Sequence, residues 1–255
     1  MSKLYKNEME CQDTGTTISN IDGYIAAITK LGLGNDCILF RGQSHDWKLS
    51  PNIQRIRKRQ NSTNRCKSLY EIEKECLRLF KLRATPHIQD FYPENDWHWI
   101  SLAQHHRLVT RLIDWTINPL VALWFATQPR DPGQNLSPIV YVYTPSESDF
   151  VTPEEFEGSP FDLDQSIAKV FEPKHVVKRV SAQQSFFTIH GNPVADFYAD
   201  LGNCQEIRID AAGENIVNLR AALDRLGINE STIYADLDGL AGHIIWLNSF
   251  VEDEF

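Results

Sequence analysis

Apolar residues recur at helical spacing through the first third of the chain. Ile21, Tyr24, Ile25 and Ile28 fall on one face, a 3.6-residue period that predicts a helix over 18–31 with Ser19 or Asn20 as N-cap and Gly32 as its stop. The same spacing through Leu69, Ile72, Cys76, Leu79 and Phe80 predicts a second helix over 68–82, and 97–108 reads as a third. Asn118-Pro119 caps and starts a fourth, which runs to Thr127 and is apolar all round, hence buried. The period shortens to that of strands in Ile38–Gly42 and, in the second half, in Ile139–Tyr143, Val176–Val180, Phe186–His190 and the alternating Gln205–Asp210. Helical spacing returns over 214–227, ending at Gly227, and 229–248 reads as one capped final helix.

Together these elements predict an α+β fold, a single compact domain whose mixed, partly antiparallel central sheet is flanked by helices. An N-terminal helical segment occupies 1–35, and the main domain follows from 36 to 255. The acidic, proline-bearing span Pro145–Pro160 reads as a loop or lid.

With 255 residues, 42% of them hydrophobic and 11% aromatic, the chain can bury a substantial core. The first residues lack an apolar signal-type region and no window nears eighteen consecutive apolar residues, so the expectation is a cytoplasmic protein without a membrane partner. Five scattered cysteines without a CxxC pair fit reduced thiols and predict no metal site. Twenty-five basic against 34 acidic residues give a formal charge of −9, which repels a phosphate backbone. Basic residues nevertheless concentrate between Arg55 and Arg83. They form either a solvated helix face with Glu71, Glu73 and Glu75 as partners or a patch for an anionic ligand.

Candidate chemistry lies where ionisable side chains interrupt apolar stretches, because such groups are seldom buried unless paired or used. Leu102–Ala126 holds His105, His106, Arg107, Arg111 and Asp114. Arg41 ends an apolar run and precedes Gly42, so its guanidinium either offers a planar fork to a phosphate or carboxylate or pairs internally with a carboxylate such as Asp114. Asp114, set between Ile113 and Trp115, is expected to be a buried partner of an arginine or histidine, or to bind ribose hydroxyls. Gln183 and Gln184, polar between two apolar runs, carry amides that both donate and accept, as a nucleobase or a nicotinamide carboxamide requires.

Four blocks, FRGQSHDWKLSPNIQR, LAQHHRLVTRLIDWTINPLVALWFAT, RVSAQQSFFTIHG and LRAALDRLGINESTIYADLDGLAGHI, resemble in order those of the FRG-domain family, named for Phe-Arg-Gly, here Phe40-Arg41-Gly42. The likeness spans about residues 36–245. A weaker resemblance is to ADP-ribosyltransferases of the arginine-first type, which open their NAD cleft with a strand ending in Arg-Gly, here Arg41-Gly42. They continue with a Ser/Thr-bearing strand before a small-residue helix, here Asp114–Phe125 with Thr116, and end with a Gln-x-Glu or Glu-x-Glu strand. That last element is divided here between Gln183-Gln184-Ser185 and Gln205-Glu206.

This second resemblance implies NAD as cofactor, a protein or nucleic-acid acceptor, and the setting of a bacterial toxin or antiphage effector with an antitoxin or immunity partner. On that reading Arg41, His105, Asp114, Gln183 and Glu206 carry catalysis, while Arg41, Gly42, Gln43, Arg111, Thr116 and Gln184 bind NAD. Arg41, His105, Arg111, Asp114 and Gln183 are then expected to converge on one cleft. Two other readings stand beside it: a nucleotide-sensing or partner-binding module without chemistry, and a metal-independent nuclease using His105 and Arg111.

Overall fold

In the strands, residues alternate between a helix-covered face and a loop-covered face, and this division positions everything below. The computed structural model describes residues 12–31, 37–56, 67–88, 92–128, 137–173, 185–196 and 201–248. In chain order the elements are β1 (Gln12–Ile18), α1 (Ile21–Thr29), β2 (Leu39–Gln43), α2 (Leu69–Ala84), α3 (Asp96–His105), β3 (Leu112–Thr116), α4 (Pro119–Ala126), β4 (Ile139–Tyr143), α5 (Pro153–Glu157), β5 (Ala168–Phe171), β6 (Ser185–His190), β7 (Cys204–Ile209), α6 (Asn215–Arg225), α7 (Glu230–Tyr234) and α8 (Leu237–Asn248). The strands form one open mixed sheet in the order β1-β7-β4-β2-β3-β6-β5. Only β1 and β7 run parallel; every other neighbouring pair is antiparallel. This is the α+β domain that the pattern predicts. No helix among the described residues is long and apolar enough to cross a membrane.

On one face, Phe40, Val140, Val142, Ile207 and Ile209 pack beneath α1, α4 and α6 through Tyr24, Val121, Leu123, Leu219 and Leu223. Farther along the same face, Leu112, Phe187 and Ile189 meet α2 and α3 through Leu77, Trp97, Ile100 and Ala103. The opposite face, with Leu39, Ile113, Trp115, Ile139, Tyr141 and Tyr143, packs on Leu49, Phe150 and Leu201 from outside the helices.

Local signals explain most boundaries. Asn118 Oδ1 accepts from the Leu120 and Val121 N–H groups at 3.0 and 3.4 Å, with Pro119 opening α4. Ser68 and Glu71 close a capping box on α2. Asn20 caps α1 through the Gly23 N–H, while Ile25, expected on the apolar face, is exposed and Tyr24 alone is buried.

Three expectations need correction. The N-terminal segment contributes a strand as well as a helix, because β1 joins the sheet beside β7. The expected final helix is two, α7 and α8, broken at Ala235, whose φ of 51° is left-handed. The acidic span after Pro145 is no free lid. Phe156 stacks on Trp97, the Trp97 indole donates to the Glu155 carbonyl, and Pro160 is buried. Expected strand 176–180 and the stop at Gly32 lie outside the described residues.

Tyr24 is buried with its hydroxyl donating to the Pro119 carbonyl at 2.7 Å, and burial pushes that hydroxyl far above the ordinary tyrosine range. Above pH about 10 the unfolded chain ionises this group while the folded chain holds its proton, so stability falls as pH rises past that point. Measured unfolding free energies are expected to drop less steeply across this alkaline range for Tyr24→Phe than for the wild type. Equal slopes would contradict the assignment.

Candidate functional site

The sheet has one weak seam. β2 and β3 share a single register pair, Phe40 with Thr116, whereas β2–β4, β3–β6 and β4–β7 pair at five positions each and β5–β6 at four. Beyond Phe40 the two strands part, and Arg41 spans the opening. Its Nη1 donates to the Asp114 carbonyl at 2.9 Å and lies 3.6 Å from Asp114 Oδ2, and its Nε donates to Gln43 Oε1 at 3.5 Å. The Asp114 carboxylate accepts from Gln104 Nε2 at 3.2 and 3.3 Å, and Gln104 Oε1 accepts from the Thr110 hydroxyl at 2.6 Å. A cation held by fixed acceptors in this way is preoriented, which lowers the ordering cost of binding an anion.

Register carries the site across the sheet. Arg41 lies opposite Tyr141, and Tyr141 opposite Glu206, so the three share the loop-covered face in one transverse row. Glu206 is buried and accepts from Arg208 Nη2 at 2.8 Å; Arg208 Nη1 donates to Asp46 Oδ2 at 2.9 Å. Tyr141 OH and Gln43 Nε2 both donate to the Trp47 carbonyl, at 3.1 and 2.9 Å. Trp47 is partly exposed, and its ring stacks on His45 with centroids 4.5 Å apart. Burial, and then the negative charges of Glu206 and Asp46, push the Tyr141 hydroxyl above its usual range against the pull of Arg41, so it remains a neutral donor at physiological pH.

Among the described residues, the register places Arg41, Gln43 and Glu206 on one face of the sheet, with Asp114 against Arg41. Asp114 is not the expected buried partner: its side chain is 55% exposed against 19% for Arg41. Gly42 serves packing rather than a ligand. A Cβ there would collide with the Ala122 carbonyl and stand 2.7 Å from the Ala126 nitrogen, so the missing side chain lets α4 lie on β2. Thr116 sits opposite Phe40, on the helix-covered face; its Oγ1 accepts from the Asn118 N–H at 3.0 Å and shapes the turn into α4.

Arg111 is the buried arginine. Its backbone N–H and Nε both donate to the Glu73 carboxylate, at 2.7 and 2.6 Å, and Nη1 donates to the Gly191 carbonyl at 2.7 Å. The guanidinium lies between the Tyr70 and Phe161 rings, 4.9 Å from each centroid. Both members of the ion pair are 1% exposed, which removes Arg111 from cofactor binding and from any nuclease role. Burial raises the Glu73 carboxyl above the ordinary range, and the Arg111 guanidinium and N–H act against it.

His105 ends α3, its ring edge-on to His106 at 5.1 Å. The chain turns just after it, at Arg107 with φ 64°, so the helix ends short of the expected 108. Gln183 and Gln184 lie outside the described residues; of the residues expected to converge on one cleft, Arg41 and Asp114 are in contact.

Sequence reasoning missed Tyr141, Asp46 and Arg208. The alternation of β4 and β7 places the first and last on a face, but only the register shows which face is Arg41's. A depression lies beyond the helix layer, lined by Arg220, Asp224, Glu230, His243 and Trp246 among others, and none of the expected site residues lines it.

No curated protein and no solved structure matches the chain. Residues 36–135 match the family model of the FRG domain, a stretch that holds β2 with Arg41, the Arg111–Glu73 pair, β3 with Asp114, and α4 packed on Gly42. Residues 36–135 are thus the part of the chain that is similar to the FRG domain.

Proposed function

We propose that the loop-covered face around Arg41 holds NAD and that the protein is an ADP-ribosyltransferase, acting as a toxin or antiphage effector. The observation that carries this reading is the row Arg41, Tyr141, Glu206 beside the parted strands β2 and β3. Arg41 and Glu206 stand two strands apart, about 10 Å at the backbone, within reach of one dinucleotide. The donor set fits the ligand: a preoriented guanidinium for a pyrophosphate, a carboxylate for ribose hydroxyls, a neutral tyrosine hydroxyl between them, and the partly exposed Trp47 for a ring.

Bound NAD supplies the ADP-ribosyl group: the bond from ribose C1′ to the nicotinamide nitrogen breaks, nicotinamide leaves, and an acceptor oxygen or nitrogen bonds C1′ and gives up its proton. Arg41 anchors the phosphates through its fork. Glu206 accepts from a ribose hydroxyl, and its negative charge stabilises the positive charge that grows on the sugar. The net charge of −9 favours a protein acceptor over a nucleic acid.

Purified protein is expected to release nicotinamide from NAD, and Glu206→Gln to release it roughly 10²–10³ times more slowly with its unfolding midpoint kept. Nicotinamide release can be followed by chromatography. NAD binding without release would favour the sensing module instead, a reading that the engagement of Glu206 by Arg208 at 2.8 Å supports. Neither binding nor release would overturn both.

A further inference from the structure

Helix α8 is packed with its apolar stripe outward. Leu237, Leu240, Ile244 and Leu247 follow a 3-4-3 spacing and are 81%, 43%, 50% and 55% exposed. Its inward side is made instead of Gly239, Gly242, His243 and Trp246. Gly239 is buried, and a Cβ at Gly242 would collide with the Glu230 carboxylate of α7. His243 Nε2 lies 3.5 Å from Asp224 Oδ1, and the Arg220 guanidinium stands 5.8 Å from the Trp246 ring centroid, which ties the inward side to α6. A surface helix of an isolated domain turns its apolar stripe to the core. This stripe has the spacing of a coiled-coil seam and lies open.

Charge defines the occupant. From Leu226 to Phe255 the chain contains no lysine or arginine, but six acids: Glu230, Asp236, Asp238, Glu252, Asp253 and Glu254. A second copy would bring like charges together, and an anionic membrane would repel them. We infer that α8 is a docking surface for an amphipathic helix of another protein, one with a leucine-rich face and lysine or arginine on its flanks. The surface lies beyond the helix layer, on the far side of the sheet from Arg41, so a partner can bind without entering the Arg41 row.

The test uses the full chain and a fluorescent synthetic helix with leucine at heptad positions a and d and lysine on its flanks. Fluorescence anisotropy is expected to show saturable binding that weakens as salt rises. A peptide with glutamate in place of lysine should bind at least about tenfold more weakly, and so should the lysine peptide to Leu240→Ser/Ile244→Ser protein with an unchanged unfolding midpoint. No binding of the lysine peptide would overturn the proposal, as would equal binding by the two peptides or by the double variant. A dimer seen by sedimentation and abolished by the double substitution would assign the stripe to a second copy, and binding to phosphatidylglycerol vesicles would assign it to a membrane; either result overturns it too.

Discussion

Glu73→Ala is expected to remove about 3–5 kcal/mol of folding stability, because it leaves the Arg111 charge buried without its carboxylate. Arg111 is fully buried; two of its N–H groups donate to Glu73, and only the Gly191 carbonyl and two aromatic faces would remain around it. A loss of that size is a large share of the roughly 5–15 kcal/mol that a typical domain holds. Replacing both partners by apolar residues of similar volume, Glu73→Leu with Arg111→Met, should recover much of it, since desolvation of two charges is avoided. Asp114→Asn, in contrast, should shift the midpoint little, its carboxylate being exposed and the Arg41 pair solvated. Urea denaturation compares the three variants with the wild type. An unchanged midpoint for Glu73→Ala would show that the pair does not hold α2 against the start of β3.

Gly42→Ala is expected to cost about 3 kcal/mol or more, at or beyond the upper end of ordinary overpacking. The obstruction is backbone: the added methyl would meet the Ala122 carbonyl and the Ala126 nitrogen inside α4, and neither can rotate away as a side chain would. Helix and strand must separate, which exposes Phe40, Val121 and Leu123 at the centre of the largest core cluster. If the variant kept its midpoint but lost nucleotide binding, the glycine would serve the ligand and not the helix. A loss of stability with the residual folded protein still binding would place it in packing.

The residues mark some of these features and conceal others for physical reasons. Strands β2, β4, β6 and β7 were legible because β-branched and aromatic runs stand between turn residues, and α4 because Asn118-Pro119 is both cap and first turn. β1, with the sequence QDTGTTI, has no apolar alternation, so nothing in it announces a sheet edge. The break between α7 and α8 falls at Ala235 without glycine or proline to mark it. Glu73 read as a surface partner of the basic run, yet it lies midway between Leu69 and Leu77 at i+4 spacing on α2, and that position in the apolar stripe was the available sign of burial.

The candidate site shows the same limit more sharply. Arg41 and Arg111 both interrupt apolar stretches, and sequence alone does not say which is sealed and which is presented. The difference comes from tertiary contacts: Glu73 reaches Arg111 from α2, whereas Arg41 meets its acceptors across a seam between strands. Glu206 was legible only through resemblance. Its place in the Arg41 row depends on β4 lying between β2 and β7, a strand order that a one-dimensional pattern does not contain.

The most direct test of the claim that the Arg41 face is the ligand site is calorimetric titration of NAD into wild type, Arg41→Lys and Arg41→Ala protein, each first shown to keep the wild-type unfolding midpoint. The account predicts saturable binding by the wild type, weakened roughly ten- to a hundredfold in both variants, since an ammonium keeps the charge but not the planar two-point fork. Binding by Arg41→Ala as tight as that of the wild type would contradict it.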